Sequence, residues 1–148
     1  MDKIIQEKIS ADHLFYVSLK YTKTCDVMVN LILRWRDMIE HSFDKLLLDA
    51  KKKKKIKAIP VAPKPRIEIL KNLFKKEEDI MDVIGLYEVF RVIEDLKKSC
   101  ENEFRKNVTL RLSYKGEIIQ INMDTLKEYA DILERFISYM KQFLSSKK

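Results

Sequence analysis

The feature that most limits the fold is the spacing of apolar residues, which follows the period of an α-helix through most of the chain. From about Cys25 to Lys55 they recur at steps of three and four. These residues are Met28, Ile32, Trp35, Ile39, Phe43, Leu46 and Leu47. The pattern predicts an unusually long helix with one apolar stripe, which other elements of the fold have to cover.

A shorter helix is predicted before it, over residues 11 to 22, with Ser10 or Asp12 available as its N-cap. No Gly or Pro separates the two helices. The β-branched cluster Tyr21-Thr22-Lys23-Thr24 is the predicted turn, with Thr24 as the cap of the long helix. One continuous helix is the alternative.

Prolines mark the middle of the chain. Pro60, Pro63 and Pro65 predict an exposed crossing loop, because proline cannot continue a helix. A short helix is predicted after Pro65, and an apolar stripe from Ile80 to Leu96 predicts another.

The apolar period then changes from helical to alternating. Between 107 and 122, alternate residues are apolar on both sides of Lys115-Gly116, which predicts a β-hairpin. Asn122 or Asp124 would cap a last helix that carries apolar residues from Leu126 to Leu144. The predicted fold is mainly α: an antiparallel bundle of four to five helices in one domain, 1–148, with one β-hairpin before the last helix.

Composition sets the expected environment. The chain is 46% hydrophobic and 36% charged, which is too apolar for a disordered chain and too charged for a membrane protein. No apolar run approaches the ~18 residues of a membrane span, and the charged N-terminus lacks a secretory signal. We therefore expect a soluble, cytoplasmic protein without a membrane partner.

The excess positive charge is concentrated in one segment, 51–66, which contains eight basic residues and no acidic one. Removing these eight from the 30 basic residues of the chain leaves 22, against 23 acidic residues. The rest of the protein is therefore nearly neutral. Such a segment can neutralise the phosphates of RNA or another polyanion. Alternatively, its lysines form the solvated last turn of a helix, where cations suit the helix dipole.

Several kinds of site are not expected. Two glycines cannot build a Gly-rich phosphate loop or a dinucleotide fingerprint, so no nucleotide cofactor is predicted, nor any other. Cys25 and Cys100 are far apart in the sequence and predict two buried thiols rather than a disulfide or a metal site. A zinc site made from these cysteines with His13 and His41 would need four distant positions to converge.

One short pattern points to catalysis. Arg36 is followed by a polar residue, three further residues and His41. This spacing resembles the signature of the HEPN superfamily, small helical domains that include metal-independent endoribonucleases working as dimers. The resemblance implies that Arg36 holds the scissile phosphate and His41 serves acid-base chemistry toward the 2′-hydroxyl. Five helical steps of about 100° separate the two side chains by roughly 140°, so a homodimer would have to bring them together.

The helical layout suggests another alignment with the same superfamily. The motif of the family usually lies late in the bundle, which corresponds to Phe104-Arg105-Lys106-Asn107 in this chain. Arg105 and Asn107 match there, but no His follows. Under this alignment the chain resembles a HEPN-like domain without its catalytic His.

The sequence favours binding over catalysis. The first hypothesis is an RNA- or nucleic-acid-associated protein that contacts phosphates through basic residues. These are Lys51, Lys52, Lys53, Lys54, Lys55, Lys57, Lys64, Arg66 and Arg105. The alternatives are an oligomeric protein-interaction module and a HEPN-like endoribonuclease that uses Arg36 and His41.

Overall fold

The first helix begins earlier than the sequence predicts. The computed structural model describes residues 2–145. Helix α1 spans Asp2–His13. A π-helical segment at Leu14–Ser18 and a last helical turn at Leu19–Tyr21 follow it without a break. Neither predicted N-cap is used. The Ser10 hydroxyl accepts a hydrogen bond from Arg34 at 2.9 Å, and Asp12 pairs with Lys8 at 2.8 Å.

The long helix is separate from the first. Helix α2 spans Cys25–Lys52. The Thr24 hydroxyl accepts a hydrogen bond from the Val27 N–H at 3.3 Å, which confirms Thr24 as the cap. Helix α2 packs against α1, the two helices that follow it, and the sheet. It is therefore the central element of the fold.

Two prolines lie inside a helix rather than in the crossing loop. Helix α3 spans Pro63–Leu73, with Pro63 and Pro65 in its first turn. The prediction that the helix begins only after Pro65 is wrong, because N–H groups in a first turn need no helical partner and the backbone of proline already suits a helix start. We define the connector as the segment 53–62 between α2 and α3.

The next helix is shorter than its apolar stripe. Helix α4 spans Glu78–Phe90, and a 3₁₀ turn follows at Ile93–Asp95. The predicted helix as far as Leu96 is therefore wrong at its C-terminal end. Ile93 is fully buried and still belongs to the core.

The predicted hairpin is confirmed. Strands β2 (Thr109–Tyr114) and β3 (Glu117–Ile121) pair antiparallel, and the Lys115-Gly116 turn has positive φ at both residues. An unpredicted strand, β1 (Lys98–Glu101), pairs with the other edge of β2. One face of this three-stranded sheet is buried through Leu110, Leu112 and Ile121.

The last helix, α5, spans Met123–Ser145 and completes a mainly α fold with a small sheet before its final helix, as predicted. Of the two possible caps, Asn122 is used: its Oδ1 accepts a hydrogen bond from the Thr125 N–H at 2.9 Å. None of the helices within residues 2–145 is long and apolar enough to cross a membrane.

Aromatic side chains fill the core between the helices. Trp35 stacks on Phe90 with ring centroids 6.3 Å apart, and Phe43 meets Tyr87 edge-on at 5.3 Å. Trp35 is 3% exposed and Tyr87 is 5% exposed. These rings stabilise the core and are not accessible for stacking against nucleic-acid bases.

The two cysteines are bonded to each other. Cys25 is the first residue of α2 and Cys100 lies in β1, and their Cα atoms are 6.1 Å apart across a disulfide. The prediction of two buried thiols is therefore wrong. Because β1 pairs with β2, and β2 packs on α2, the sheet carries Cys100 to the start of the helix. Cys25 is buried, whereas Cys100 is exposed.

Candidate nucleic-acid interface

The lysine run begins in the last turn of α2 and continues into the connector. Lys51 and Lys52 are helical, Lys53 is the C-cap, and Lys54 has a φ of 61° that turns the chain away from the helix axis. Lys55 and Lys57 follow on the irregular backbone, and all six lysines are exposed.

Lys53 differs from its neighbours. Its Nζ lies 3.3 Å from Asp49 Oδ2 and 4.8 Å from the centroid of the Phe143 ring. It therefore holds the end of α2 against α5. Within residues 2–145, no ion pair involves Lys51, Lys52, Lys54, Lys55 or Lys57.

The connector is anchored to the body of the protein. The Lys55 N–H donates to the Ala50 carbonyl at 2.9 Å, and the side chains of Ile56 and Ile59 pack partly against the core. The segment is thus a bend with defined anchors rather than a free tail, and its lysines are exposed to solvent.

Two other predicted contact residues are placed differently. Arg66 Nη2 is 2.5 Å from Asp44 Oδ1, so its charge is compensated within the protein. Arg105 lies in the loop between β1 and β2, where the Phe104 N–H donates to the Lys23 carbonyl at 2.7 Å. Lys23 lies just before α2, and the lysine run lies at the other end of this helix, roughly 40 Å away by its rise per residue. Arg105 is therefore remote from the connector.

Arg36 and His41 contact different parts of the molecule. Arg36 Nη1 pairs with Glu94 in the 3₁₀ turn at 2.8 Å. His41 Nδ1 lies 2.6 Å from Glu7 on α1. The fold therefore does not bring the two side chains together within one chain.

His41 lines a cleft of about 320 Å³ that also contains Glu40, Asp44, Arg66 and Tyr87. The Tyr87 hydroxyl donates a hydrogen bond to Glu40 at 2.8 Å. Burial, together with this hydrogen bond, raises the pKa of Tyr87 above its usual range, so the phenol stays protonated. With carboxylates at Glu40 and Asp44, this cleft is poorly suited to a phosphate.

A second groove, next to the connector, has the opposite charge balance. It has a volume of about 530 Å³ and lies between α3, the end of α4 and the hairpin turn. We call it the basic groove. Its charged side chains are Lys64, Glu68, Lys71, Glu88, Arg91 and Lys115.

The carboxylates of the basic groove share a single lysine. Lys71 Nζ lies 3.1 Å from Glu88 and 3.9 Å from Glu68. The hydrogen bond to Glu88 and the negative charge of this residue raise the pKa of Lys71. In the part of the chain that the structure describes, Lys64, Arg91 and Lys115 form no ion pair, and Arg91 Nε is buried without a hydrogen-bond partner.

One set of side chains has the composition of a metal site. The donor atoms of Cys25, Cys100 and Glu103 lie within 4.8 Å of one another. Both sulfurs are bonded in the disulfide, so neither offers a thiolate to a metal ion. The Glu103 carboxylate instead accepts a hydrogen bond from the Cys25 N–H at 3.1 Å.

Sequence reasoning identified the lysine run because its residues are contiguous, and it missed the basic groove apart from Lys64. Arg91 and Lys115 are isolated in the sequence, and no periodic pattern marks them. Comparison of the chain with protein-family models, curated proteins and solved structures found no match.

Proposed function

We propose that the protein binds the phosphate backbone of RNA through the exposed lysines at the end of α2 and along the connector. The observation that carries this proposal is that Lys51, Lys52, Lys54, Lys55 and Lys57 are exposed without an ion pair within residues 2–145, on a protein that is otherwise nearly neutral. Lysine is a compact point charge that suits phosphate contacts without reading bases.

The anchored backbone of the lysine run lowers the entropic cost of binding RNA. Lys53 holds the end of α2, so the neighbouring lysines start from a defined backbone and lose less conformational freedom on binding than they would in a free tail. Each phosphate that is neutralised releases counterions, which makes affinity fall steeply with salt. Binding should therefore depend on salt and show little sequence preference.

The test is fluorescence anisotropy with a single-stranded RNA across a salt series. In the test variant, which we call the connector variant, Lys51, Lys52, Lys54, Lys55 and Lys57 are changed to Gln. Lys53 is retained because it packs against the protein. A single strand contributes a salt slope of about 0.7 per phosphate contacted, so the variant should lose roughly 3 to 4 units of slope and most of its affinity.

A matched control has the same net charge as the connector variant. It changes five exposed lysines elsewhere to Gln: Lys3, Lys20, Lys106, Lys127 and Lys141. This control should keep the salt slope close to that of the native chain. Equal losses in both variants would mean that only net charge matters, and unchanged binding in the connector variant would exclude the connector as the interface.

A further inference from the structure

The basic groove is formed by rigid parts of the fold. Lys64 and Lys71 project from α3, and Arg91 is the C-cap of α4. Lys115 lies in a two-residue hairpin turn, where Gly116 has a φ of 79°. Because helices and a tight turn hold these positions, the charges of the groove are arranged before any ligand arrives.

The groove carries a net positive charge that the protein does not compensate. Four cations and two carboxylates give a balance of about +2. Lys71 lies close to both carboxylates and offsets one of their two charges, and among residues 2–145 Lys64, Arg91 and Lys115 form no ion pair.

Arg91 is the cation of the basic groove whose shape best suits an anionic ligand. Its side chain is half-buried, and its Nε has no hydrogen-bond partner among the described residues. Because the Nε is buried, a ligand in the groove would have to bind through the Nη groups of the guanidinium. A phosphate oxygen is the acceptor that best matches the forked geometry of arginine.

We propose that the basic groove binds a terminal phosphate of the RNA strand whose backbone lies along the connector; this inference rests on the proposed function. A terminal phosphomonoester carries a charge of about −1.5 to −2 at neutral pH, which matches the balance of the groove. An internal phosphodiester carries only one negative charge. Lys64 lies two residues after the connector in the sequence and also lines the groove, so we expect one strand to contact both.

The experiment compares three versions of one short RNA: with a 5′-phosphate, with a 3′-phosphate, and with hydroxyl groups at both ends. Anisotropy titrations at fixed salt should show that the native chain binds at least one phosphorylated end about tenfold more tightly than the hydroxyl version. Arg91→Gln and, separately, Lys115→Gln should reduce this preference to nearly nothing. Lys127→Gln, an exposed lysine on α5, is the matched control and should keep it.

The proposed function and this inference fail in different ways. If the native chain binds all three RNAs alike while the connector variant loses affinity for each, the basic groove is not a terminal-phosphate site and the connector is still the interface. If the connector variant binds like the native chain, the proposed function is wrong, and so is the inference that rests on it.

A phosphate preference that survives both Arg91→Gln and Lys115→Gln would mean that the terminal phosphate is recognised outside the basic groove. Lys115 is exposed, so its variant tests the groove even if Arg91→Gln destabilises the fold.

Discussion

Lysines of the same run have different roles according to where their side chains lie. Lys53 contacts Asp49 and the Phe143 ring, whereas Lys54 and Lys55 extend into solvent. The helix accounts for this difference, because Lys53 follows Asp49 by four residues and thus lies above it on the same face. A substitution of the whole run would mix a packing effect with a charge effect, and this is why Lys53 has to be kept in any test of binding.

Tyr87 gives the fold a stabilising contribution that depends on pH. Burial and the hydrogen bond to Glu40 raise its pKa, so the folded state favours the protonated phenol. Below pH ~10, the usual tyrosine pKa, both states are protonated and the contribution is complete. As the pH rises above this value, the unfolded state loses its proton first, and stability falls by about 1.4 kcal/mol per pH unit.

Changing Tyr87 to Phe should therefore have an effect that changes with pH. At pH 7 the variant should lose about 1 kcal/mol of unfolding free energy, because the hydrogen bond to Glu40 is gone. Above pH ~10 this difference should shrink, since only the native chain loses stability through Tyr87. Urea unfolding at several pH values measures it. Tyr16→Phe is the control, because Tyr16 is 61% exposed, and a constant difference for Tyr87→Phe would contradict the prediction.

Among the helices and strands, the two glycines offer a test with opposite signs. Gly85 lies within α4 with open space around the position of a Cβ, so Gly85→Ala should stabilise the protein by about 0.5–1 kcal/mol. Gly116 has the same open space but a φ of 79°, so Gly116→Ala should destabilise it by about 1–2 kcal/mol. Thermal unfolding would show melting temperatures that move in opposite directions.

Gly116→Asn is the matched control for the turn, because asparagine tolerates left-handed backbone better than alanine does. Its melting temperature should lie between those of the native chain and Gly116→Ala. If both substitutions at 116 were harmless, the left-handed conformation of the turn would be wrong.

Elements with a local signal were predictable, and elements set by tertiary context were not. Thr24 at the helix start and the alternation around Lys115-Gly116 act within a few residues, and both predictions are confirmed. Strand β1 has four exposed residues and no apolar alternation, because it exists only through its pairing with β2. The prolines of α3 were misplaced because proline ends one helix but can also begin the next.

At the scale of the whole molecule, sites that combine distant segments were hidden from sequence reasoning. Lys64, Arg91 and Lys115 meet only because α3, α4 and the hairpin turn pack around one groove. The disulfide was equally unpredictable from the sequence, because Cys25 and Cys100 are 75 positions apart and meet only in the folded protein. The chain is rich in Lys, Glu and Ile, a bias found in hyperthermophile proteins and in those of AT-rich genomes.

The connector and the disulfide together predict how the molecule responds to a protease. Trypsin cleaves after lysine and arginine and needs an extended, exposed backbone, which helices provide only after local unfolding. The irregular connector, with Lys54, Lys55 and Lys57 exposed, should be cut first. A cut there places Cys25 in the N-terminal piece and Cys100 in the C-terminal piece, still joined by their disulfide.

A limited digest should therefore give one band on a non-reducing gel and two bands after reduction. Cys100→Ser should give two bands under both conditions. If the two pieces of a connector cut, about 55 and 93 residues long, separate in the native chain without reductant, the disulfide is absent; a cut after Arg105 would instead leave both cysteines in one piece. RNA bound along the connector should slow the cut at low salt and lose this protection at high salt, because counterions displace the lysine contacts. Protection that persists at high salt would indicate that RNA is held by contacts other than these lysines.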